Sequence, residues 1–314
     1  MSGSVGRHEP IGKTDSRRRT QWLAYGLLSV APLFMAANPV IGRAARELVP
    51  PIGLSFWRWL LASLILLPFA LSGLYQHRSQ LRANWWVLLV LGSLGMGVCG
   101  AFVYIGLHHT TATNTGLIYA ASPVLILILS ARFRHDTITR LQALGVPLAL
   151  TGVVIIIFRG DVGALAQLRF NRGDVWILVA TCAWSIYSVL LRKQSLMHLP
   201  TVTLFAAIAV MGVVVQLPFY LWESVTVRPV PMNTAAWTSI ASVAVLSSVL
   251  AFGSYQKGIA VLGPSKAGPF MYLMPVYAVV LAVTLLGEII RPYHLMGLTL
   301  ILIGIAMATW PTPR

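Results

Sequence analysis

Apolar stretches of about twenty residues recur along the whole sequence and limit what this chain can fold into. An α-helix needs about twenty mostly apolar residues to cross the roughly 30 Å hydrocarbon core of a bilayer. Charges, prolines and glycines separate ten such stretches. The stretches are 22–41, 52–73, 85–107, 113–131, 141–158, 174–191, 200–222, 235–256, 266–286 and 291–310. The pattern predicts an all-α membrane protein with ten transmembrane helices embedded in a lipid bilayer.

The composition is that of a chain that faces lipid. Of the 314 residues, 57% are hydrophobic and only 10% are charged, whereas about 25% of an average soluble protein is charged. Residues 1–21 are polar and basic. The apolar stretch that follows them is longer than the core of about 7 to 15 residues in a signal peptide. We therefore expect a cytoplasmic basic tail over 1–21 and an uncleaved first span.

The net charge is +15. The positions of the basic residues indicate the orientation of the chain in the membrane rather than a nucleic-acid-binding face. The basic residues lie in short segments between the apolar stretches, without an RNA-binding motif. Alternate sides of the predicted bundle hold 15 and seven Lys and Arg residues, with the larger number on the side of the N-terminus. This bias places both termini in the cytoplasm of a cell (inner) membrane, although Arg159 to Arg172 weaken it locally.

The second half of the chain repeats the first. Glycines, one proline and one valine recur 152 residues later. The pairs are Gly106 and Gly258, Gly116 and Gly268, Pro123 and Pro275, Val124 and Val276, Gly145 and Gly297, and Gly152 and Gly304. Since each copy has five spans, the second must enter the membrane from the opposite side. The sequence thus predicts two inverted-topology five-helix repeats, over 22–158 and 174–310.

Several motifs accompany the repeat. They are Met35-Ala36-Ala37-Asn38-Pro39-Val40-Ile41-Gly42-Arg43, Phe56-Trp57-Arg58, Trp184-Ser185-Ile186-Tyr187 with Arg192, Met274-Pro275-Val276, Gly287-Glu288, Gly297 and Gly304. With these motifs the chain resembles the EamA-type ten-helix exporters of the drug/metabolite transporter superfamily. The resemblance covers essentially everything after the tail. His135-Asp136 and Met35 depart from it, where Gly-Glu and Trp are usual.

The resemblance implies a transporter with a central cavity built by helices one to four and six to nine, with helices five and ten as outer supports. We expect alternating access for small metabolites such as amino acids, and efflux of hydrophobic drugs is the alternative. An intramembrane enzyme would need a nucleophile–base pair or metal ligands on facing helices, which the spans do not provide, so we expect no enzyme, no metal and no cofactor. A scaffold without transport activity does not explain the inverted repeat. The oligomeric state is not predicted.

Arg58 is the basic residue that lies well inside a span, about 9 Å along the helix from Ile52. An unpaired charge there costs about 2.5–3.5 kcal/mol on insertion scales. One interpretation is that it binds a carboxylate of the substrate. The other is that it snorkels to the interface or binds helix-end carbonyls.

Polar and aromatic residues surround this position at similar depth, namely Asn38, Tyr104 and Tyr119. Their counterparts near the inner side are Tyr187, Gln256 and Tyr272, with Ala207 in place of the arginine. Together they suggest substrate-binding vestibules, while each aromatic taken singly fits helix packing or an interfacial belt better.

Other residues have more ordinary interpretations. Pro123 and Pro275 remove helix hydrogen bonds and are candidate hinges or packing devices. The glycines spaced seven apart in helices five and ten favour close helix packing. Cys99 and Cys182 lie inside apolar stretches, which favours packing over a disulfide or a metal site.

All eight carboxylates lie in loops or at span edges, so we predict facilitated diffusion or exchange rather than coupling through a buried carboxylate. For Glu288 and Asp136 we expect helix capping or pairing with a nearby arginine, Arg291 or Arg140.

Overall fold

The computed structural model is a bundle of helices, with no strand in the residues that it describes, which are 11–134, 139–161, 163, 171–191, 196, 198–262 and 268–309. Ten long helices follow one another. They are α1 (Ile11–Ala45), α2 (Pro51–Gln76), α3 (Trp85–Leu107), α4 (Ala112–Ala120 and Ser122–Arg134), α5 (Arg140–Ile157), α6 (Arg172–Leu190), α7 (Thr201–Thr226), α8 (Thr234–Leu262), α9 (Leu273–Leu286) and α10 (Pro292–Thr309). A short helix, Arg78–Ala83, links α2 to α3, and a 3-10 turn, Gly268–Tyr272, precedes α9.

Within the described residues, eight helices, α1 to α8, are long and apolar enough to cross a membrane. The other two, α9 and α10, are shorter apolar helices. Large apolar side chains are exposed on the outside of the bundle, among them Phe69 at 77% and Leu64 and Val214 at 55%. Such a surface is stable in lipid rather than in water, so the prediction of an all-helical membrane protein is confirmed.

The helix bounds agree with the predicted spans to within a few residues, except at three places. Helix α1 begins at Ile11 instead of residue 22, and α8 continues to Leu262 instead of residue 256. Charged residues end a hydrophobic span, but they do not end a helix, because Lys and Arg are good helix formers. The predicted span 266–286 begins with the 3-10 turn and becomes α-helical only at Leu273. Residues 266–267 lie outside the described residues.

Two helices contain a π-helical segment, Gly92–Val98 in α3 and Val243–Leu250 in α8. Such segments add a residue to a turn and often mark functional sites. Their first residues are 151 positions apart. A second pair of irregularities lies beside the candidate hinge prolines, since α4 is interrupted at Ala121 and α9 starts at Leu273, each two residues before its proline.

Helices from the first half of the chain pack mainly on helices from the second half. Helix α2 packs on α7, α4 on α9 and α5 on α10, while α1 packs on α8 and α9, and α6 packs on α3 and α4. The contact between α5 and α10 depends on glycine. A β-carbon on Gly304 would lie 2.6 Å from the carbonyl oxygen of Gly145, and one on Gly152 would lie 2.6 Å from that of Gly297. The prediction that these glycines permit close packing is confirmed.

The links that follow α1, α3, α7 and α9 meet at one end of the bundle, which we call the Arg43 end. Arg228 donates a hydrogen bond to the carbonyl of Glu47 at 2.8 Å, and Asn171, just before α6, donates one to the carbonyl of His109 at 2.7 Å. These contacts join segments that are far apart in sequence. In the predicted topology, the Arg43 end faces away from the cytoplasm.

Carboxylates brace helix ends at the Arg43 end. Glu223 accepts hydrogen bonds from the backbone nitrogens of Ile52 and Gly53 at 3.0 and 2.6 Å, where α2 begins. Glu288 does the same for Ala112 and Thr113 at 2.8 and 2.9 Å, where α4 begins. Free N–H groups and the helix dipole favour a carboxylate at these positions. The prediction of a capping role for Glu288 holds, but the capped helix is α4 and not the following helix. Asp136 lies outside the described residues.

Asp174 lies in the first turn of α6 and Glu223 in the last turn of α7, at helix ends as predicted, but both are buried, which the sequence did not reveal. Asp174 is fully buried and Glu223 is 4% exposed. Asp174 accepts hydrogen bonds from the hydroxyl of Thr110 and from Asn114, at 3.3 Å in the second case. Because their partners lie on other helices or, for Thr110, in the link between α3 and α4, these carboxylates connect separate parts of the bundle.

Candidate functional site

The side chain of Arg58 is the centre of a buried polar cluster. Pro51 starts α2 at a position where proline is favourable, and two turns later the helix directs Arg58 into the bundle, where it is 7% exposed. Its Nη1 donates to Asn38 Oδ1 at 2.9 Å and to the Tyr104 hydroxyl at 3.0 Å. Its Nε donates to Ser248 Oγ at 2.8 Å, and Nη2 donates to the carbonyl of Ser247 at 3.4 Å. We call these five residues the Arg58 cluster.

The first half of the chain supplies three members of the cluster, all of them predicted. The Tyr104 hydroxyl donates to Asn38 Oδ1 at 2.7 Å, so α1 and α3 are joined to each other as well as to Arg58. Gly42 makes room for the tyrosine ring, because a β-carbon there would lie 2.7 Å from Tyr104 Cε1. The structure therefore brings Asn38, Arg58 and Tyr104 together.

Two serines of α8 complete the cluster and were missed by the sequence analysis. Ser247 and Ser248 belong to the π-helical segment, and Ser248 Oγ also bonds to the carbonyl of Val243, five residues earlier, at 3.5 Å. The π turn lets one backbone carbonyl and one hydroxyl approach Arg58. The adjacent serines in an apolar span were the available signal, but helical periodicity does not reveal the extra residue that aligns them.

The Arg58 guanidinium is well hydrogen-bonded but has no counter-ion among the described residues. All four of its partners are neutral groups, namely an amide, two hydroxyls and a backbone carbonyl. The guanidinium carbon also lies 4.6 Å from the centroid of the Trp59 ring, a cation–π contact. The interpretation in which Arg58 snorkels to the interface is wrong, since the guanidinium points into the bundle.

Two other predicted residues, Tyr119 and Tyr272, lie at the interrupted helices α4 and α9. Tyr119 is half-buried on α4, and its hydroxyl contacts the Cys99 thiol at 2.7 Å on α3. Tyr272 ends the 3-10 turn before α9 and packs, like Tyr119, against the apolar core that includes Tyr104. Both tyrosines therefore line the interior at the interrupted helices.

The remaining predicted residues lie elsewhere. Tyr187 is 5% exposed, stacks on Trp184 with ring centroids 5.1 Å apart, and presses against Gly95 of the π segment in α3. Gln256 is half-buried on α8, eight residues or about 12 Å along the helix from Ser248. Neither side chain joins the Arg58 cluster.

A cavity of about 390 Å³ opens at the Arg43 end. Its lining includes Arg43, Asn114, Arg159, Glu288, Arg291 and His294. His294 is the third residue of α10 and is 5% exposed. Its Nδ1 accepts from the Arg291 backbone nitrogen at 3.0 Å, so Nε2 carries the proton and donates to Asn114 Oδ1 at 3.0 Å. Asn114 in turn donates to Asp174 at 3.3 Å, so hydrogen bonds connect the cavity lining to this buried carboxylate.

No group of three metal-ligating side chains occurs in the part of the chain that the structure describes. Its described polar centres include a buried cation with neutral ligands and a cavity lined by Arg43, Arg159 and Arg291.

Comparison with known proteins assigns the chain to a family. The model of the EamA-like transporter family matches residues 22–158 and again 171–310. The chain is 28% identical to the uncharacterized transporter YyaM of Bacillus subtilis over 261 residues, which cover 82% of this chain and 84% of that protein. It is 26% identical to a probable terminal-alkyne amino-acid exporter of Streptantibioticus cattleyicolor, over 81% of this chain and 82% of that protein.

A solved crystal structure has the same fold. It superposes with a TM-score of 0.58 at 20% sequence identity and covers 94% of this chain and 96% of its own. The family match, which extends over most of the sequence, together with the apolar helices establishes the class of the protein. The chain belongs to the EamA-like transporter family, and it is a multi-pass membrane transporter.

Proposed function

We propose that this transporter exports small metabolites that carry a carboxylate group, amino acids first among them, by alternating access through a central cavity. The observation that carries the proposal is the buried Arg58 guanidinium, whose described ligands are all neutral. Neutral acceptors stabilise a buried cation, but they leave its charge uncompensated. A substrate carboxylate supplies that compensation.

The hydrogen bonds of Arg58 leave one N–H donor of the guanidinium available for such a ligand. A guanidinium has five N–H donors, and the four bonds of Arg58 use one at Nε, two at Nη1 and one at Nη2. The bond from Nη2 to the Ser247 carbonyl is the longest at 3.4 Å, and Nη2 keeps a second proton. A carboxylate can therefore bind at Nη2 and exchange one neutral ligand for a charged one, which is the stronger kind of hydrogen bond.

The helix pairing supports two inverted five-helix repeats, over 22–158 and 174–310, as the moving parts. Exchanging α1–α5 with α6–α10 leaves the pairs α2–α7, α4–α9 and α5–α10 unchanged, and it converts the pair α1–α8 into α6–α3. The π segments are 151 residues apart, and the interruptions before the prolines are 152 apart. Such symmetry is typical of carriers that expose one site to either side.

Pro123 and Pro275 are the hinges in this proposal. Each follows a break in regular helical hydrogen bonding, so α4 and α9 can bend there without further loss of hydrogen bonds. Tyr119 and Tyr272 lie at the same breaks and would move with them. Tyr187 and Gln256 would contact the substrate on the cytoplasmic side, after the bundle has opened there.

The orientation and direction are also proposals. The distribution of 15 and seven Lys and Arg residues supports cytoplasmic termini in the inner membrane, with the Arg43 end outside. The exporter from Streptantibioticus cattleyicolor supports export of amino acids or similar acids. For the mode of transport, our prediction remains facilitated diffusion or exchange.

Transport in proteoliposomes tests the proposal. Purified protein is reconstituted, and efflux of preloaded labelled amino acids is measured beside a hydrophobic cation. We expect efflux of at least one amino acid, which Arg58→Met lowers by about 10- to 100-fold. The matched control Arg78→Met, at an exposed arginine of the opposite end, is expected to leave it unchanged. Transport of the hydrophobic cation alone, unaffected by Arg58→Met, would favour drug efflux instead.

A further inference from the structure

The cavity of about 390 Å³ at the Arg43 end collects cationic side chains from separate parts of the chain. Its walls include the end of α1, the link between α3 and α4, the turn after α5, and the link between α9 and α10. Three of these segments contribute an arginine, namely Arg43, Arg159 and Arg291. The volume is within the range of sites that bind small molecules.

Two of these three guanidinium groups have no protein partner in the described part of the chain. Arg43 donates a hydrogen bond to the carbonyl of Leu107. The side chains of Arg159 and Arg291 are exposed, and they form no hydrogen bond or ion pair with the described residues. A neighbouring cavity of about 380 Å³ differs, because its Arg46 is paired with Glu47 at 3.1 Å. Cations that are free to bind a ligand therefore line the first cavity.

The carboxylates at the cavity are already hydrogen-bonded to the protein. Glu288 lines the cavity and accepts from the first two backbone nitrogens of α4 at 2.8 and 2.9 Å and from the Thr113 hydroxyl at 2.6 Å. Asp174 lies behind the lining, fully buried, and accepts from Thr110 and Asn114. The lining thus has three arginines and one carboxylate, which gives the cavity a positive potential.

The backbone at Arg159 has a conformation that normally selects glycine. Its φ is 56°, in the left-handed region. The backbone nitrogens of Arg159 and Gly160 donate to the carbonyls of Ile156 and Ile155, at 3.1 and 2.9 Å, so Arg159 occupies the position at which helices commonly end in glycine. Other residues in this conformation are strained, and they cluster at functional sites. An arginine here supports a role for its side chain in the cavity.

The cavity lies farther toward the Arg43 end than the Arg58 cluster does. On α1, Arg43 is five residues, or about 7.5 Å along the helix, beyond Asn38 of that cluster. Close packing of α1 on α3 separates the two, since a β-carbon at Gly42 would lie 2.7 Å from Tyr104 Cε1. A solute that leaves the cluster toward this end reaches the cavity when α1 and α3 separate.

We infer that the cavity is an exit site, in which Arg159 and Arg291 bind the carboxylate of the substrate after it has left Arg58. Guanidinium groups form strong, often bidentate, hydrogen bonds with carboxylates. The inference rests on the proposed function and adds a second carboxylate site to the same route. The phosphate of an anionic lipid headgroup has similar chemistry, so the experiment separates it from the free acid.

Propionate binding to the purified full-length protein in detergent, measured by titration calorimetry, tests the exit site. Arg58→Met removes the central cation, and this variant is expected to retain one propionate site. We expect it to bind the uncharged propionamide at least about tenfold more weakly, a factor that corresponds to about 1.4 kcal/mol. Adding Arg159→Gln or Arg291→Gln to Arg58→Met is expected to weaken propionate binding by about three- to tenfold. The matched control is Arg172→Gln, at an exposed arginine of the same end that does not line the cavity, and it is expected to leave binding unchanged.

A second titration distinguishes the free acid from a lipid headgroup. Phosphatidylglycerol is added to the detergent micelles before propionate is titrated into Arg58→Met. We expect the dissociation constant of propionate to change by less than about twofold, after correction for the charge that the lipid adds to the micelle. Displacement of propionate by the lipid would assign the cavity to a headgroup and overturn the exit site.

Two further results would overturn the exit site while leaving the proposed function intact. One is the absence of propionate binding in Arg58→Met, and the other is unchanged binding in both double variants. If Arg58→Met fails to fold, Arg159→Gln and Arg291→Gln are compared in the wild-type background. There the double variant is expected to bind one propionate fewer per protein at saturation, and an unchanged number overturns the exit site. The proposed function fails separately, if Arg58→Met transports every carboxylate with the kcat/KM of the wild type.

Discussion

Positions that the sequence repeat pairs with one another differ sharply in chemistry. Asn38, Arg58 and Tyr104 converge into one hydrogen-bonded cluster. Their counterparts in the second half are Tyr187, Ala207 and Gln256, of which Ala207 has no polar group and the other two lie apart from the cluster. The comparison teaches that a repeated architecture can carry its buried cation in one copy only. Side chains of both halves bind this cation, but the second half has no basic residue at the equivalent position.

The second half contributes something different, which is mechanical support at the Arg43 end. Glu223 holds the start of α2 through two backbone hydrogen bonds. The corresponding residue in the first half is Gly73, 150 positions earlier, where a β-carbon would lie 2.0 Å from Thr203 Oγ1. One end of the α2–α7 pair is thus fastened by a carboxylate, and the other by close contact. The pair can be expected to separate more readily where only contact holds it.

The largest effect is expected from Arg58→Met, which keeps the length of the side chain and removes its charge and donors. Hydrogen bonds to charged groups contribute about 1.5–3 kcal/mol, and about 1.4 kcal/mol corresponds to a factor of ten. We expect kcat/KM for a carboxylate substrate to fall by about 10- to 100-fold in proteoliposomes. A fall of the same size in Arg78→Met would show that the loss is not specific to the cluster.

The second-largest effect is expected from Asn38→Asp. This substitution places a carboxylate oxygen where Asn38 Oδ1 lies, 2.9 Å from Arg58 Nη1. The internal ion pair competes with the substrate, so the KM of a carboxylate should rise by about tenfold, the equivalent of one charge-assisted hydrogen bond. Asn38→Ala removes the acceptor without adding charge and serves as the control. A larger rise in KM for Asn38→Ala than for Asn38→Asp contradicts the role of Arg58 as an unpaired cation.

Tyr104→Phe should have an intermediate effect, since it deletes one hydroxyl and leaves the ring against Gly42. Net hydrogen bonds contribute about 0.5–1.5 kcal/mol, so we expect kcat/KM to fall by about two- to tenfold. The thermal unfolding temperature in detergent, measured alongside, separates a positioning effect on Arg58 from loss of folding. Unchanged kinetics with a lowered unfolding temperature would assign Tyr104 to stability alone.

The smallest effect on kcat/KM is expected from Tyr187→Phe, which extends the comparison to the second half of the chain. The ring packs on Trp184 and Gly95, and its hydroxyl is outside the Arg58 cluster. A group that does not contact the substrate in the rate-determining state contributes little to kcat/KM, so we expect a change of less than about twofold. A loss as large as that of Tyr104→Phe would place the chemistry in both halves.

Much of the fold was predictable, because hydrophobic length alone defines a membrane span. The bounds of α2, α3, α5 and α6 lie within two or three residues of the predicted spans. The start of α1 was not predictable, since a basic segment ends the membrane span without ending the helix. The π segments were not predictable either. One extra residue shifts the helical phase by about 100°, which a pattern of uniformly apolar residues does not reveal.

Only part of the candidate site could be predicted from the sequence. Some of its residues are identified by their depth in the membrane or by a motif, and others only by contacts between distant parts of the chain. Depth in the membrane identified Arg58 and Tyr104, and the family motifs placed Asn38 on α1, so three helices of the cluster followed from the sequence. The contribution of α8 depends on contacts across about 190 residues and on a π turn. The braces formed by Glu223 and Glu288 join residues more than 170 positions apart. Contacts of this kind leave no local pattern in the chain.

The central claim, that Arg58 recognises a carboxylate, is tested most directly by comparing a transported acid with its own carboxamide. The two ligands have nearly the same shape and differ in charge. For the wild type in proteoliposomes we predict a kcat/KM ratio of acid to amide of about 10 to 100, the range expected for a hydrogen-bonded charge, and for Arg58→Met a ratio near one. A wild-type ratio near one, or a high ratio that survives in Arg58→Met, would contradict the claim.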